Sequence, residues 1–409
     1  MALLVKKFGG SSVATPEKIF HLVDRVLAEK HEGDQIVIVV SAMGDTTDDL
    51  VTLAGRVSRH MPKREMDMLL ATGEQVSIAL LAAAFQERGQ KAVSLTGPQA
   101  GIRTNDHHTK AGIVEVKADR VLAELEKGNI VVVAGFQGLD DEGDVTTLGR
   151  GGSDTTAVAV AAGTHADMCE IYTDVDGVYT ADPRIVPGAR KLQEITFGEM
   201  LELARLGAGV MQPRAVEYGE HAGVDIHVRS TFHEVEGTII RREYTLQGEK
   251  EYVVRGVTSD VNVAKIAVRG VDDKPGVAFR IFDALAKVNV DVDMIVQSGS
   301  AVPNKNDMVF TCQKADMADA VAVLETLKAE MGFTRIDLEA NVAKVSVVGA
   351  GMLGSPGIAA GMFGALASKQ INLIVVSTSE ISISCLIPRD QVEEAVNAVH
   401  DYFFPRTDK

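Results

Sequence analysis

Cysteine is scarce in this chain, with three in 409 residues: Cys169, Cys312 and Cys385. They lie far apart, each in an apolar, strand-like context. No disulfide framework is readable from them, and they are expected to be buried, reduced thiols of a cytoplasmic protein. Long apolar runs are lacking as well, none approaching the ~18 residues that a membrane span needs. The opening MALLVKKFGG has too short an apolar stretch for a secretory signal, and no small-residue cleavage site follows it. Positive charge is in deficit, with a formal balance of −16. Such a surface repels polyanions, so neither nucleic acid nor membrane is expected as a partner. A small anionic substrate remains compatible, because a local cluster of Lys, Arg and backbone N–H groups can bind it against the global field. The P-loop signature G-x-x-x-x-G-K-[ST] is also absent.

What is present is an alternation of short β-rich runs and longer helical ones up to about Phe232. The spacing predicts strands at Leu3–Val5, Gln35–Ala42, Asn129–Phe136, Met168–Val175 and Val224–Thr231. Their apolar runs are nearly continuous, as in parallel strands covered on both faces. Thr15 is expected to cap a helix that carries Pro16 at its first position and an apolar stripe of Ile19, Leu22, Val23, Val26 and Leu27. The expected fold is α/β, a three-layer αβα sandwich with a mainly parallel sheet.

Beyond about Gly237 the composition changes. Arg241–Lys250 is charged and aperiodic and reads as a linker. An internal repeat follows, at the 81-residue offset from Pro275 to Pro356. Gly276 recurs as Gly357, Ala278 as Ala359, Phe282 as Phe363, Leu285 as Leu366, and Val290 is matched by Ile371. Each copy reads strand, Pro-Gly turn, helix, strand, strand, helix, a ferredoxin-like βαββαβ unit of roughly 70 residues. The first copy has its last strand near Thr334–Leu338. The second runs out of chain after the helix near His400, and Tyr252–Val257 is a candidate for its missing strand.

Five motifs carry candidate chemistry. KFGGSS (Lys7–Ser12) follows the first strand; its glycines suit either a plain turn or an anion nest beside the Lys7 charge. SAMGDTTDDL (Ser41–Leu50) ends another strand, where open α/β sheets bind ligands, and its hydroxyls suit helix capping or a carboxylate. In TGEQVS, Glu74 interrupts an apolar helix, as an exposed residue or as the partner of an ammonium group. TTLGRGGSD, from Thr146, is the most specific. It leads Arg150, Gly151, Gly152, Ser153 and Asp154 into a helix whose N-terminus favours anions, with Arg150 able to grip a carboxylate in two parallel bonds. YTDVDGVYTADPR (Tyr172–Arg184) suits a turn-rich connection or a nucleotide loop.

Together, in this order, the motifs resemble the aspartate kinase pattern of the amino acid kinase family, and the repeat resembles that family's paired ACT domains. The resemblance implies a catalytic domain over 1–245 and ACT domains over 264–340 and 343–409. It implies ATP-dependent phosphorylation of the L-aspartate side-chain carboxylate, the first step of lysine, threonine and methionine biosynthesis, under feedback control. Lys7 and Asp154 would be catalytic. Ser41, Thr47, Glu74, Arg150 and Ser153 would bind aspartate, with Arg150 on its α-carboxylate and Glu74 on its amino group. Lys7, Gly9, Gly10, Ser11, Thr173, Asp174, Tyr179, Asp182 and Arg184 would face ATP. Mg²⁺ would arrive with the nucleotide, with no dedicated protein cage. Lysine, threonine or the two in concert are the expected effectors, held by Asp273, Gly276, Val277 and Ala278, by Ser355, Gly357, Ile358 and Ala359, and by Gln297, Asn372 and Leu373, in a homodimer. The pattern departs at Gly209, where many members carry a nucleotide-contacting lysine; Arg214 is the nearest cation.

Three rival readings follow. VSVVGAGMLG (Val345–Gly354) contains G-x-G-x-x-G after a strand, with Glu380 further on, and would suit a dinucleotide-binding module. The chain ends too soon for a second mononucleotide half, and the first repeat has VRGVDDKPG at that turn. The same fold could take glutamate, acetylglutamate or UMP. A catalytically silent amino-acid sensor is the third, opposed by the presence of Lys7, Arg150 and Asp154.

Overall fold

The structure, a computed structural model, describes residues 2–245, 253–300, 302–352 and 354–405. The end of the expected linker at 246–250, Tyr252 of the candidate strand, Leu353 of the glycine motif and the last four residues lie outside these. The chain divides into two compact units, residues 1–178, 191–204 and 209–250 in one, and 179–190, 205–208 and 251–409 in the other.

In chain order the first unit contains β1 (Leu3–Phe8), α1 (Pro16–Glu29), β2 (Gln35–Val40), α2 (Thr46–Val57), α3 (Lys63–Leu70), α4 (Thr72–Glu87), β3 (Ala92–Leu95), β4 (Ile102–Thr104), β5 (Ile113–Val116) and α5 (Asp119–Glu126). It continues with β6 (Ile130–Ala134), β7 (Gln137–Leu139), β8 (Val145–Thr147), α6 (Gly152–Thr164), β9 (Met168–Thr173), β10 (Glu194–Thr196), α7 (Phe197–Arg205), α8 (Pro213–Ala222), β11 (Ile226–Ser230) and β12 (Thr238–Arg241). Eight strands form one sheet in the order β10-β12-β11-β9-β1-β2-β6-β3. Every pairing in it is parallel except β11 with β12.

The pleat sends alternate side chains to opposite faces. Phe8, Ile36, Ile38 and Val132 meet the stripe of α1 and Ile78, Leu81 and Phe85 of α4. The other face carries Val37, Val39 and Val133, and α6 lies against β1, β2 and β9 there. Helix α6 is nearly all small residues (GSDTTAVAVAAGT) and mostly buried, which lets its backbone come close to the strands. Thr15 caps α1, its side chain accepting the Lys18 N–H at 3.4 Å.

The continuous helical stretch Lys63–Glu87 is long and apolar enough to cross a membrane, contrary to the expectation that no such run exists. More than half of its most apolar window is buried in the fold. Its apolar character serves the core of this unit.

The second unit contains β13 (Gly256–Asp260), β14 (Val263–Asp272), α9 (Val277–Lys287), β15 (Val292–Gly299), β16 (Lys305–Gln313), α10 (Met317–Met331) and β17 (Arg335–Glu339). After these come β18 (Val342–Val348), α11 (Ile358–Ser368), β19 (Val375–Thr378), β20 (Ser382–Pro388) and α12 (Val392–Phe403). The repeat is visible as two four-stranded sheets, β15-β16-β14-β17 and β19-β20-β18-β13. Gly276 and Gly357 sit at the N-caps of α9 and α11 with φ of 89° and 100°. Leu285 and Leu366, like Val290 and Ile371, occupy equivalent buried places in the two cores. Strand β13 takes in the second repeat the edge that β17 takes in the first. The candidate segment was therefore near the mark, with the strand beginning at Gly256.

Strand β18, the head of the G-x-G-x-x-G run, pairs antiparallel with both β13 and β20. A dinucleotide-binding unit requires parallel neighbours around that strand, so the dinucleotide-binding reading is set aside. Residues 179–190 pack with this unit: Ala181 and Val186 join the core of the second repeat, and Thr180 Oγ1 and His400 Nε2 are 2.9 Å apart.

Candidate active site

Lys6 and Lys7 are neighbours on β1 and point to opposite faces. Lys6 is 2% exposed and bonds Glu170 at 2.6 Å, Glu29 at 2.9 Å and the Tyr172 hydroxyl at 3.1 Å. Arg229 braces both carboxylates, each at 3.1 Å. Burial pushes the Glu29 carboxyl up, but the Lys6 hydrogen bond and the Lys6 and Arg229 charges overcome this and hold it down at about 2. This cluster is a buried structural network beneath α1.

Lys7 faces α6 instead. Its Nζ lies 2.5 Å from Asp154 Oδ1, in the first turn of that helix. Beside this pair, Ser41 Oγ, just beyond β2, donates to Ser153 Oγ at 3.0 Å. Gly10 follows β1 so closely that a Cβ there would lie 2.5 Å from the Ala42 carbonyl oxygen. Gly151, at the N-cap of α6, has φ 71°, and a Cβ there would meet Gln212 at 1.9 Å. Gly10 is therefore required by space, and Gly151 by space and by its left-handed backbone.

Glu74 lies in the first turn of α4 and is 2% exposed, which removes its reading as a surface residue. Oε1 accepts the Ala42 N–H at 3.0 Å, and Oε2 is buried without a partner. Burial raises its carboxyl to about 7 against two opposing backbone hydrogen bonds. Lys7, Ser41, Glu74, Ser153 and Asp154 thus come together where β1, β2 and the N-termini of α4 and α6 converge. Thr47 is half-buried in the first turn of α2, and Arg150 is exposed on the loop leading into α6. This arrangement offers a cation held by a carboxylate, a glycine-lined approach, hydroxyls, and one uncompensated buried acid. Those are the elements for gripping a zwitterion beside a phosphoryl group.

The nucleotide candidates divide. Gly9, Gly10 and Ser11 adjoin Lys7 in the chain. Thr173 and Asp174 end β9, their side chains 3.1 Å apart. Tyr179, Asp182 and Arg184 belong to the segment that packs with the second unit, where Arg184 and Asp182 pair at 2.7 Å. Gly209 is exposed, with nothing within 4 Å of where a Cβ would lie. Arg214 is held on the carbonyl oxygens of Leu148 at 2.7 Å and Ala111 at 2.8 Å, so its guanidinium is committed to the loop. The effector candidates Asp273, Gly276, Gln297, Gly357 and Asn372 are exposed, and the strands β15 and β19 lie beside each other.

Sequence reasoning missed two contributors. Phe136, in the bend between β6 and β7, has φ 69°, donates its N–H to Thr156 Oγ1 at 3.1 Å and accepts the Leu148 N–H at 2.9 Å. An aromatic residue there gives no signal of such a backbone. Asp67, discussed below, is the second. His108, Asp140 and Asp144 bring ligand atoms within 4.8 Å of one another. Asp140 accepts the Glu142 and Asp144 N–H groups of its turn and Asp144 pairs with Arg64 at 2.6 Å, so these acids hold a hairpin. The three thiols are free and buried. Burial pushes Cys312 up to about 11 and Cys385 to about 12.

Residues 2–230 match the amino acid kinase family, and residues 266–327 and 345–403 match the ACT domain. The chain is 49% identical over 403 residues to an aspartokinase of Bacillus sp. strain MGA3, covering 98% of this chain and 97% of that one. A structure of E. coli aspartokinase III in complex with aspartate and ADP superposes with a TM-score of 0.82 at 25% identity, covering 98% of this chain and 100% of the other. The same E. coli enzyme in complex with lysine and aspartate gives 0.79 at 26% identity, covering 98% and 99%.

Proposed function

On the premise that this chain belongs to the amino acid kinase family, in its aspartokinase branch, we propose how its residues carry the reaction. The enzyme is an aspartate kinase: it transfers the γ-phosphoryl group of ATP to the side-chain carboxylate of L-aspartate, giving 4-phospho-L-aspartate. A carboxylate oxygen attacks phosphorus, the bond to the β,γ-bridging oxygen breaks, and ADP leaves. The nucleophile is already ionised at neutral pH, so no general base is needed. The protein's task is alignment and positive charge on the phosphoryl oxygens.

Lys7 supplies that charge and Asp154 fixes its ammonium group in place. Gly9, Gly10 and Ser11 give the phosphates a close approach to backbone. Arg150 takes the α-carboxylate and Glu74 the α-ammonium, while Ser41, Thr47 and Ser153 offer hydroxyls. ATP would enter as its Mg²⁺ complex, an ion that would neutralise phosphate charge without a dedicated protein cage. Thr173 and Asp174, with Tyr179, Asp182 and Arg184 from the neighbouring segment, are assigned to the nucleotide. The single observation that carries the reading is the Lys7–Asp154 pair set beside the partnerless Oε2 of Glu74.

The catalytic domain is taken as 1–245 and the ACT domains as 264–340 and 343–409. The paired ACT domains are the site of feedback control, with lysine, threonine or the two in concert as effectors bound at a homodimer interface. Three buried free thiols support a cytoplasmic location. Trapping the acyl phosphate with hydroxylamine tests the activity. A hydroxamate should form with aspartate and ATP. Signal with glutamate or acetylglutamate alone, or phosphorylation of UMP, would overturn the substrate assignment.

A further inference from the structure

The loop that carries Arg150 and leads into the helix of Asp154 is stemmed on a buried carboxylate that belongs to none of the motifs. Asp67 on α3 is 0% exposed. Its Oδ1 accepts the Thr147 hydroxyl at 2.5 Å, and both oxygens accept the Thr109 N–H at 3.1 Å. Oδ2 also faces His108 Nδ1 at 2.7 Å. A carboxylate this deep is costly unless its lone pairs are satisfied, and here they are. Thr109 adopts φ 69°, an outlying conformation for a β-branched residue, which persists only where the surroundings over-determine it.

A second pin holds the same loop from the other side. Arg214 grips the Leu148 and Ala111 carbonyl oxygens, and the Ala111 N–H donates to Thr147 O at 2.9 Å. The stem is thus clamped between Asp67 and Arg214. Asp67 in turn lies on the same helical stretch, Lys63–Glu87, that carries Glu74. The Asp67–Thr147 bond therefore ties the element bearing the ammonium partner directly to the loop bearing the α-carboxylate partner.

We propose that Asp67, acting through Thr147, is a positioning residue that sets the spacing between the Arg150 and Glu74 subsites and so the enzyme's grip on the α-amino acid end of aspartate. This rests on the roles given to Arg150 and Glu74 above. The test is steady-state kinetics on the full-length enzyme, with the melting temperature of each variant recorded. Thr147→Ser keeps the hydroxyl and should leave both KM values within about twofold of wild type. Thr147→Val keeps the shape and loses the donor. It should raise KM for aspartate at least about tenfold, the loss of one charge-assisted hydrogen bond, with KM for ATP within about twofold and kcat changed less than KM.

Because Thr147 acts through Arg150, the double variant T147V/R150K should bind aspartate no more weakly than R150K alone, to within about twofold. If Thr147→Val does not fold, Asp67→Asn decides: it turns the charge-assisted bond from the Thr147 hydroxyl into a weaker neutral one and should raise KM for aspartate alone. An equal rise in both KM values, an unchanged KM for aspartate, or additive effects in the double variant would overturn the proposal. An R150K enzyme with wild-type KM for aspartate would instead remove Arg150 from the substrate site, a distinguishable failure.

Discussion

Lys7 Nζ and Asp154 Oδ1, 2.5 Å apart, join the first strand of the chain to a helix that begins more than a hundred residues later. In the proposed mechanism the carboxylate holds the ammonium group beside the phosphoryl group in transfer. Lys7→Ala should lower kcat by roughly 10²-fold or more, about 3 kcal/mol of transition-state stabilisation. Its melting temperature should stay close to wild type. Near-normal turnover in a folded Lys7→Ala enzyme would take Lys7 out of the mechanism.

The adjacent lysine should behave in the opposite way. Lys6 is the buried partner of Glu29 and Glu170, and removing it leaves Glu170 to Arg229 alone and Glu29 to Arg229 and Arg25. Lys6→Met should cost about 3–5 kcal/mol of stability, measured by denaturant unfolding, while ATP and aspartate KM values in the folded fraction stay near wild type. Glu29 is held near 2, below its ordinary 4.5. Its contribution is therefore present above that ordinary value and is lost as pH falls from there towards 2. A Lys6→Met protein as stable as wild type would contradict the network's role.

Arg150→Lys preserves charge but removes the planar fork. KM for aspartate should rise far more than KM for ATP. A parallel rise in both would place Arg150 on the nucleotide.

Glu74 titrates near 7 because it is buried, and its proposed role as partner of the substrate ammonium needs its ionised form. KM for aspartate should therefore fall as pH rises from about 6 to about 8 and then level off, with KM for ATP unaffected. Glu74→Gln should abolish that dependence and bind aspartate weakly at every pH. For the free enzyme the sign reverses: a carboxyl raised from 4.5 stabilises the fold most below that value. Stability should decline by about 3 kcal/mol as pH climbs towards 7. A KM for aspartate that is flat across this range would show that Glu74 does not meet the ammonium group.

Feedback control should reside in the repeat. Gln297→Ala should relieve inhibition by lysine, threonine or both, leaving uninhibited turnover nearly intact, and the coupling lost should be about 1–3 kcal/mol. The measurement is initial rate against effector concentration. A rate that is flat in millimolar lysine plus threonine, or full inhibition in a chain truncated near Lys250, would place control elsewhere.

The strands that were legible are those buried on both faces. Strands β2 and β6 are nearly uninterrupted Ile and Val, and no other element of that length produces such a run. The sheet β5-β4-β7-β8 escaped notice because its strands have three or four residues, interspersed with charged turns. Lys7, Ser153 and Asp154 stood out in the sequence because glycines and charges crowd the two short motifs that hold them, KFGGSS and TTLGRGGSD. Asp67 was not, since an acid within KREMDMLL reads as a solvated helix face until a threonine eighty residues later folds back onto it. Glu74 stood open for a related reason: local pattern cannot tell a buried acid from an exposed one. The segment 179–190 reads as continuous with β9, yet its apolar residues Ala181 and Val186 complete a core built from the far end of the chain.

Strand β13 precedes the first regulatory repeat in the chain but closes the sheet of the second. During synthesis on the ribosome, the first repeat has all four strands once Glu339 has emerged. Strand β13 must wait through that whole interval with its backbone unpaired, until β18 arrives. The two modules are nested, so a stop codon placed between them would not yield one sound regulatory domain. It would leave an orphan edge with free N–H and C=O groups, a template on which another nascent chain can pair.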